Sequence, residues 1–219
     1  MDKINNRYRL IIFDMDGTLY FQRPLQLHMG LWMLSACFRK GGFREMKIVL
    51  AFRRQRDKWP DAGTAIDQKL YELLAGQFSM KPQETEKIIK TWIYEKPLEI
   101  LARYKDKTLI QAIWDLKMQN KLMAVYSDYP AEEKICVLGL PELPCFYGGS
   151  PEIGCLKPEP KGIFVIMQRF NIKSPQEVLM VGDRQSKDGQ SALNAGVDYL
   201  ILKKNILQRK KQYKEMKLK

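Results

Sequence analysis

The chain has 219 residues, 45% of them hydrophobic and 28% charged, with a formal net charge of +12. That length suits one good-sized domain, or a domain carrying a smaller insert, with enough apolar material for a buried core. Four scattered cysteines (Cys37, Cys136, Cys145 and Cys155) argue against a disulfide-stapled scaffold and read as reduced, mostly buried thiols, and a single histidine, His28, leaves a His-based zinc site or a Ser–His triad without support.

The positive charge is unevenly placed. Residues 23–96 hold 14 basic against 8 acidic side chains and residues 203–219 hold 8 against 1, whereas the rest of the chain holds 15 against 16. An excess of this kind can serve nucleic acid, acidic lipid or a polyanionic small molecule, or can simply be a soluble surface.

In chain order, Met1–Asn6 runs straight into a strand-like segment without a signal-peptide apolar region, so the cytoplasm is the expected location. Tyr8 to Phe13 is a short continuous apolar run ending in the polar turn Asp14-Met15-Asp16-Gly17-Thr18, the pattern of a buried parallel strand that delivers carboxylates at its C-terminal edge. A long stretch with only helical periodicity follows, at 25–38, 44–58, 64–77, 82–94 and 97–103. Leu25 to Phe38 is apolar nearly all round yet shorter than the ~20 residues of a bilayer span, and is expected to be a buried helix. From Phe43 to Trp59 the chain carries Arg44, Lys47, Arg53, Arg54, Arg56 and Lys58; in a helix Lys47, Arg54 and Lys58 share a stripe, read as a solvated face. The same stripe would suit a wall for a second anionic group of a substrate, or a weak contact with an anionic membrane surface. Trp59 and Trp92 read as packing residues.

Strands return at Leu122–Tyr126, ending at Ser127-Asp128, at Val178–Val181, ending at Gly182-Asp183, and at Tyr199–Leu202, with helical patterns at 107–119, 131–138, 160–170 and 187–195 between them. Strands alternating with helices give an α/β fold, a Rossmann-like parallel sheet. Residues 1–22 and 97–219 are the expected core and 23–96 an inserted all-helical cap over the strand ends, where ligands of such sheets bind. The Lys-rich end from Lys203 lacks interleaved aromatics apart from Tyr213; it reads as a solvated helix or tail, and nucleic acid is not the expected partner.

Each polar group at a strand end has a structural alternative. Asp14-x-Asp16-Gly17-Thr18 alone could open a calcium loop, but Leu19, Tyr20 and Phe21 stand where further oxygen ligands would be needed. Ser127 could cap a helix, Lys157 could be a loop lysine, Asp188 could cap the helix after it, and Thr18 could be partly structural. These alternatives weaken together, because every one of the groups is compatible with a phosphate at a strand terminus.

The ordered set resembles the haloacid-dehalogenase-like superfamily, in its phosphatase branch with a helical C1-type cap. Asp14-Met15-Asp16-Gly17-Thr18-Leu19 matches the first motif and Ser127 the second. Lys157-Pro158-Glu159-Pro160 matches the third, and Gly182-Asp183-Arg184 with Asp188 the fourth. The resemblance implies a magnesium-dependent phosphatase acting on a small phosphorylated metabolite. Asp14 and Asp183 would be direct metal ligands with the backbone carbonyl of Asp16, and Asp188 a ligand through water or the partner of Lys157. Lys157, Ser127 and Thr18 would bind phosphoryl oxygens. The chemistry is coherent by itself: a carboxylate at Asp14 can attack phosphorus to give an acyl phosphate, and Asp16 can protonate the leaving oxygen and then activate water. Three carboxylates around a dianionic phosphate require a cation, and magnesium suits a site with few protein carboxylates. Asp16 favours phosphoryl transfer over carbon–halogen cleavage, since a halide leaves without a proton. A phosphomutase, or a binding module that keeps the fold, remain the competing readings.

Overall fold

Leu10-Ile11-Ile12-Phe13 has no polar side on either face of a strand, and it can be stable only in the middle of a covered sheet. The computed structural model, which describes residues 7–58 and 66–216, places it there. It is β1 (Leu10–Phe13), flanked by β2 (Leu122–Ser127) and β4 (Val178–Gly182), with β3 (Cys145–Tyr147) and β5 (Asp198–Ile201) at the edges. All pairings are parallel, in the order β3-β2-β1-β4-β5. Phe13 lies level with Val125 and Val181, so Asp14 leaves the sheet beside the ends of β2 and β4.

Alternation along the strands sends side chains to two layers. Ile11, Phe13, Met123, Val125, Leu179 and Val181 pack with Leu109, Ile113 and Leu116 of α6 (Lys107–Met118). Leu10, Ile12, Ala124, Tyr126, Val178 and Met180 pack on the other face with α8 (Lys161–Arg169) and α9 (Gln190–Ala195). A seventh helix, α7 (Glu132–Leu138), follows β2.

Between β1 and α6 the described elements are helices: α1 (Gln22–Ala36), α2 (Gly42–Asp57), α3 (Ile66–Gln77), α4 (Pro82–Ile89), a π-helical turn at Lys90–Glu95 and α5 (Lys96–Leu101). The chain enters and leaves this insert through a pair of antiparallel crossings, where Phe21 N donates to Tyr104 O (2.9 Å) and Asp106 N to Leu19 O (3.0 Å). Apolar packing is continuous from the sheet into the insert through Met15, Leu19, Leu25, Phe52, Leu70 and Trp92. The indole of Trp92 also donates to Glu45 (2.9 Å), whereas Trp59 lies outside the described residues.

Four expectations need correction. Strand β3 carries no signal of its own, being a three-residue, half-buried edge strand behind Pro144. Helix α1 is not buried all round: Leu25, Met29 and Ala36 face the insert, but Leu27, Leu31 and Leu34 on the opposite side are 69%, 58% and 56% exposed, with no described residue packed over them. Among the cysteines only Cys155 is buried, with Cys37 and Cys145 half-buried and Cys136 exposed. The Lys-rich end is a helix, α10 (Ile206–Glu215), capped by Asn205, and it is not solvated throughout, since Arg209 and Tyr213 are buried.

The packing of the insert can be tested by contrast. Phe52→Ala removes a fully buried ring stacked on Tyr71 and should lower stability by about 3–5 kcal/mol. Phe38→Ala, at a side chain 93% exposed, should change it by no more than about 0.5 kcal/mol. Denaturant unfolding of the two variants reads the difference.

Candidate active site

The C-terminal ends of β1, β2 and β4 bring the polar groups together. Asp14, the first residue beyond β1, is held by its own N–H on Val181 O (2.8 Å). The ammonium of Lys157 reaches it from the segment before α8, at 2.5 Å from Asp14 Oδ1, and also donates to Asp188 Oδ1 at 2.7 Å and Tyr126 O at 3.3 Å. Asp188 Oδ2 in turn accepts the backbone N–H groups of Asp183 (3.1 Å) and Arg184 (3.0 Å), so this carboxylate shapes the turn after β4 while fixing the lysine. Asp14, Lys157, Asp183 and Asp188 are all buried.

Backbone geometry makes the crowding feasible. Gly17 has φ +96°, where only glycine is unstrained, and a Cβ there would stand 2.6 Å from Asp183 Oδ2. Carboxylate oxygens of Asp14, Asp183 and Asp188 lie within 4.8 Å of one another. Burial, then the neighbouring Asp188 carboxylate, push the Asp14 carboxyl well above its usual range against the pull of Lys157. Burial likewise raises Asp183, despite Lys204 at 3.5 Å. Desolvation opposes the charge on Lys157, but Asp14 and Asp188 outweigh it and hold the ammonium protonated. Asp183 Oδ1 is buried with no hydrogen-bond partner among the described residues. A buried, unpaired carboxylate oxygen beside two further carboxylates and one lysine fits a hard divalent cation, whose ligands are oxygen.

Asp16 points elsewhere. Its Oδ1 accepts from Lys134 Nζ (2.6 Å) and Tyr20 OH (2.5 Å). Burial raises its pKa, but Lys134 and then Tyr20 outweigh burial and hold it below the usual value. Asp16 lines two cavities. The smaller, about 40 Å³, also touches Asp14, Lys157 and Asp188; the larger, about 150 Å³, reaches under the insert to Leu25, Met29 and Arg53.

Two residues expected at phosphoryl oxygens take other partners in this geometry. Thr18 is fully buried and donates to Asp14 Oδ2 (2.8 Å), so its hydroxyl orients that carboxylate. Ser127, 1% exposed at the end of β2, accepts from Tyr129 N (3.1 Å), which leaves its own proton to be given. Asp188 Oδ1 lies against the Lys157 ammonium and accepts from it.

Sequence reasoning missed four residues. Lys134 and Tyr20 carry no motif, although Tyr20, four residues after Asp16, lies within reach of a tight turn. Arg56, one of the six cations in the run from Phe43 to Trp59, is 2% exposed; it pairs with Asp67 and donates to Asp128 O (2.6 Å) and Tyr147 OH (2.9 Å), tying α2 of the insert to the loop after β2. Arg209 of α10 donates to Gly17 O (2.8 Å), Thr18 O (3.1 Å) and Asp106 Oδ2 (3.3 Å), so the last helix holds the turn that carries Asp16. Only Tyr213, an aromatic in a Lys-rich helix, hinted that one side of it is covered, and nothing local singled out Arg209.

A family profile described as haloacid dehalogenase-like hydrolase matches residues 8–196. The chain is 26% identical over 195 residues to the glyceraldehyde 3-phosphate phosphatase of Methanopyrus kandleri, covering 86% of this chain and 81% of the relative. Among solved structures, a 2-haloacid dehalogenase from Pseudomonas syringae pv. Tomato superposes with TM-score 0.61 at 16% identity, covering 89% of this chain and 86% of that one. YfnB of Bacillus subtilis, described as bound to magnesium, does so with TM-score 0.59 at 15% identity, covering 90% and 87%. At these identities the solved structures show the fold alone.

Helix α10 lies beyond the matched residues. Arg209→Met should cost about 3 kcal/mol or more, because it leaves two backbone carbonyls and Asp106 buried without their cation. Removal of the exposed charge in Lys211→Met should change stability by no more than about 0.5 kcal/mol. Urea unfolding of both variants checks the contrast.

Proposed function

The chain belongs to the haloacid dehalogenase-like hydrolase family, and we propose that it hydrolyses a small phosphate monoester through a phosphoaspartate on Asp14. The observation that carries the reading is the division of labour among acids. Asp14 sits in the buried trio beside Lys157, while Asp16 is held apart by Lys134 and Tyr20 at the mouth of a cavity. A nucleophile and a proton carrier require that separation.

In the first step an oxygen of Asp14 attacks phosphorus, the ester P–O bond breaks, and Asp16 gives the leaving oxygen a proton; because Lys134 and Tyr20 favour its ionised form, Asp16 must first take up that proton as the negative charge of the substrate enters. In the second, Asp16 takes a proton from water as the water oxygen attacks phosphorus; the Asp14 acyl-phosphate bond breaks and inorganic phosphate leaves. Lys157 balances charge on the phosphoryl oxygens, and Ser127 has a hydroxyl proton to offer them. Magnesium, held by Asp14 and Asp183 with the backbone carbonyl of Asp16, would neutralise the charge of the phosphoryl group and of the carboxylates around it. Asp188 serves by fixing Lys157 and the turn after β4.

Fold alone does not choose between dehalogenation and phosphate hydrolysis, since the similar structures include a dehalogenase. Asp16 favours the phosphate ester, because only an alkoxide leaving group needs its proton. The cavity beside Asp16 is small, about 150 Å³, which favours a small substrate. The relative named for glyceraldehyde 3-phosphate supports the same class.

A screen of small phosphorylated metabolites for phosphate release, with magnesium and with EDTA, tests the proposal. Release should need the metal, and Asp14→Asn should lower turnover by a factor on the order of 10⁴ or more. Asp16→Asn should slow alkyl phosphates about 10²–10⁴-fold and aryl phosphates much less, since phenolates leave without a proton. Full phosphate release by Asp14→Asn would remove the covalent mechanism, and an isomerised sugar phosphate as sole product would favour a mutase.

A further inference from the structure

The insert presents one surface that neither the cavity nor the sheet uses. Residues 24–38 contain no Lys, Arg, Asp or Glu. One side of α1 is buried through Leu25, Met29 and Ala36, yet Leu27, Leu31 and Leu34 form a second apolar stripe at i, i+4 and i+7 on the side facing away. Phe38, in the turn that follows, is 93% exposed, and Phe43 at the start of α2 is 55% exposed. Isolated exposed apolar residues are ordinary, but five large ones more than half exposed within 17 residues form a patch, and patches of that kind mark interaction surfaces.

Its border is cationic. Arg23 stands exposed at the head of α1, and Arg39, Lys40, Arg44 and Lys47 follow its end, all exposed. Arg44 is fixed by the carbonyls of Phe78 and Ser79, and Lys47 lies over the Phe43 ring at 4.6 Å. The acid within this run, Glu45, is half-buried and bonded to the Trp92 indole, so it does not offset the border.

We infer that the outer face of α1 and the turn into α2 dock on an anionic lipid surface, with Leu27, Leu31, Leu34 and Phe38 entering the acyl boundary and Arg39, Lys40 and Lys47 meeting the head groups. Charge complementarity selects this occupant. A second copy would oppose like-charged rims in a protein of net charge +12. Nucleic acid would have no use for three leucines, which cannot stack on bases. None of the described helices is long and apolar enough to cross a membrane, so the contact lies on the surface.

The test is sedimentation with vesicles of phosphatidylcholine alone, or with one-third phosphatidylglycerol, at low and high salt. Wild-type protein should bind the anionic vesicles, weakly or not at all the neutral ones, and lose binding as salt rises. Arg39→Ser with Lys40→Ser should weaken binding about 25-fold, near fivefold per cation. Leu31→Glu with Leu34→Glu should abolish it, and since both side chains are exposed the variant should keep its circular dichroism. Lys210→Ser with Lys211→Ser, in the exposed part of α10, should leave it within about threefold. Absence of binding at low salt overturns the inference. So does binding that survives the leucine variant, binding lost only with the α10 variant, or a dimer in sedimentation velocity that the leucine variant dissolves.

Discussion

One buried ammonium organises the strand ends. Lys157 Nζ lies between Asp14 and Asp188 at 2.5 and 2.7 Å, and without it two desolvated carboxylates would face each other across the end of the sheet. It offsets only part of the local charge, because Asp183 brings a third carboxylate whose Oδ1 has no donor among the described residues. The residual negative charge makes the cluster suited to a divalent cation and, through it, to a phosphate ester. Packing follows from the same constraint. Gly17 and Gly182 are glycines because a Cβ at either position would strike Asp183 or Asp188.

Two buried arginines extend the organisation to distant parts of the chain. Arg209 of α10 fixes the carbonyls of Gly17 and Thr18, and Arg56 of α2 fixes the carbonyl of Asp128. Burial of a guanidinium is costly unless its donors are satisfied. Arg209 meets the condition through Lys203 O, Asp106 and the two loop carbonyls; Arg56 meets it only in part, its terminal nitrogens on Asp67, Asp128 O and Tyr147 and the ring of Tyr129 4.4 Å from its carbon, while its Nε is buried with no hydrogen-bond partner among the described residues. Each therefore specifies one arrangement of the segments it joins. For Arg56 that arrangement joins α2 to the loop after β2, and Arg56 itself lines the smaller cavity beside Asp14 and Asp16.

The insert differs from the core in how it distributes apolar surface. Strands β1, β2 and β4 are covered on both faces, whereas α1 buries one side and leaves the other bare. An uninterrupted apolar sequence is thus compatible with two environments, and only packing tells them apart. In the core it makes a buried strand. In α1 it makes a helix with one face in the protein and one face outside it.

The parallel sheet was legible from the residues because each central strand is a short apolar run ending in an acid or a serine, and that pattern depends only on local sequence. Asp14 and Asp183 stand directly after apolar strand runs, whereas Lys157 and Asp188 were singled out by the resemblance of the ordered motifs and not by periodicity. Tertiary structure alone decided the partners. Arg209 lies 192 positions from Gly17, Lys134 lies 118 from Asp16 and Arg56 lies 72 from Asp128, so nothing local distinguishes them from solvated cations. Likewise the hydroxyl of Thr18 turned to Asp14, and β3 formed at an edge where a neighbouring strand supplied the hydrogen bonds. A side chain's type and spacing set what it can do, but which groups desolvate it and answer its charge depends on segments the sequence keeps far apart.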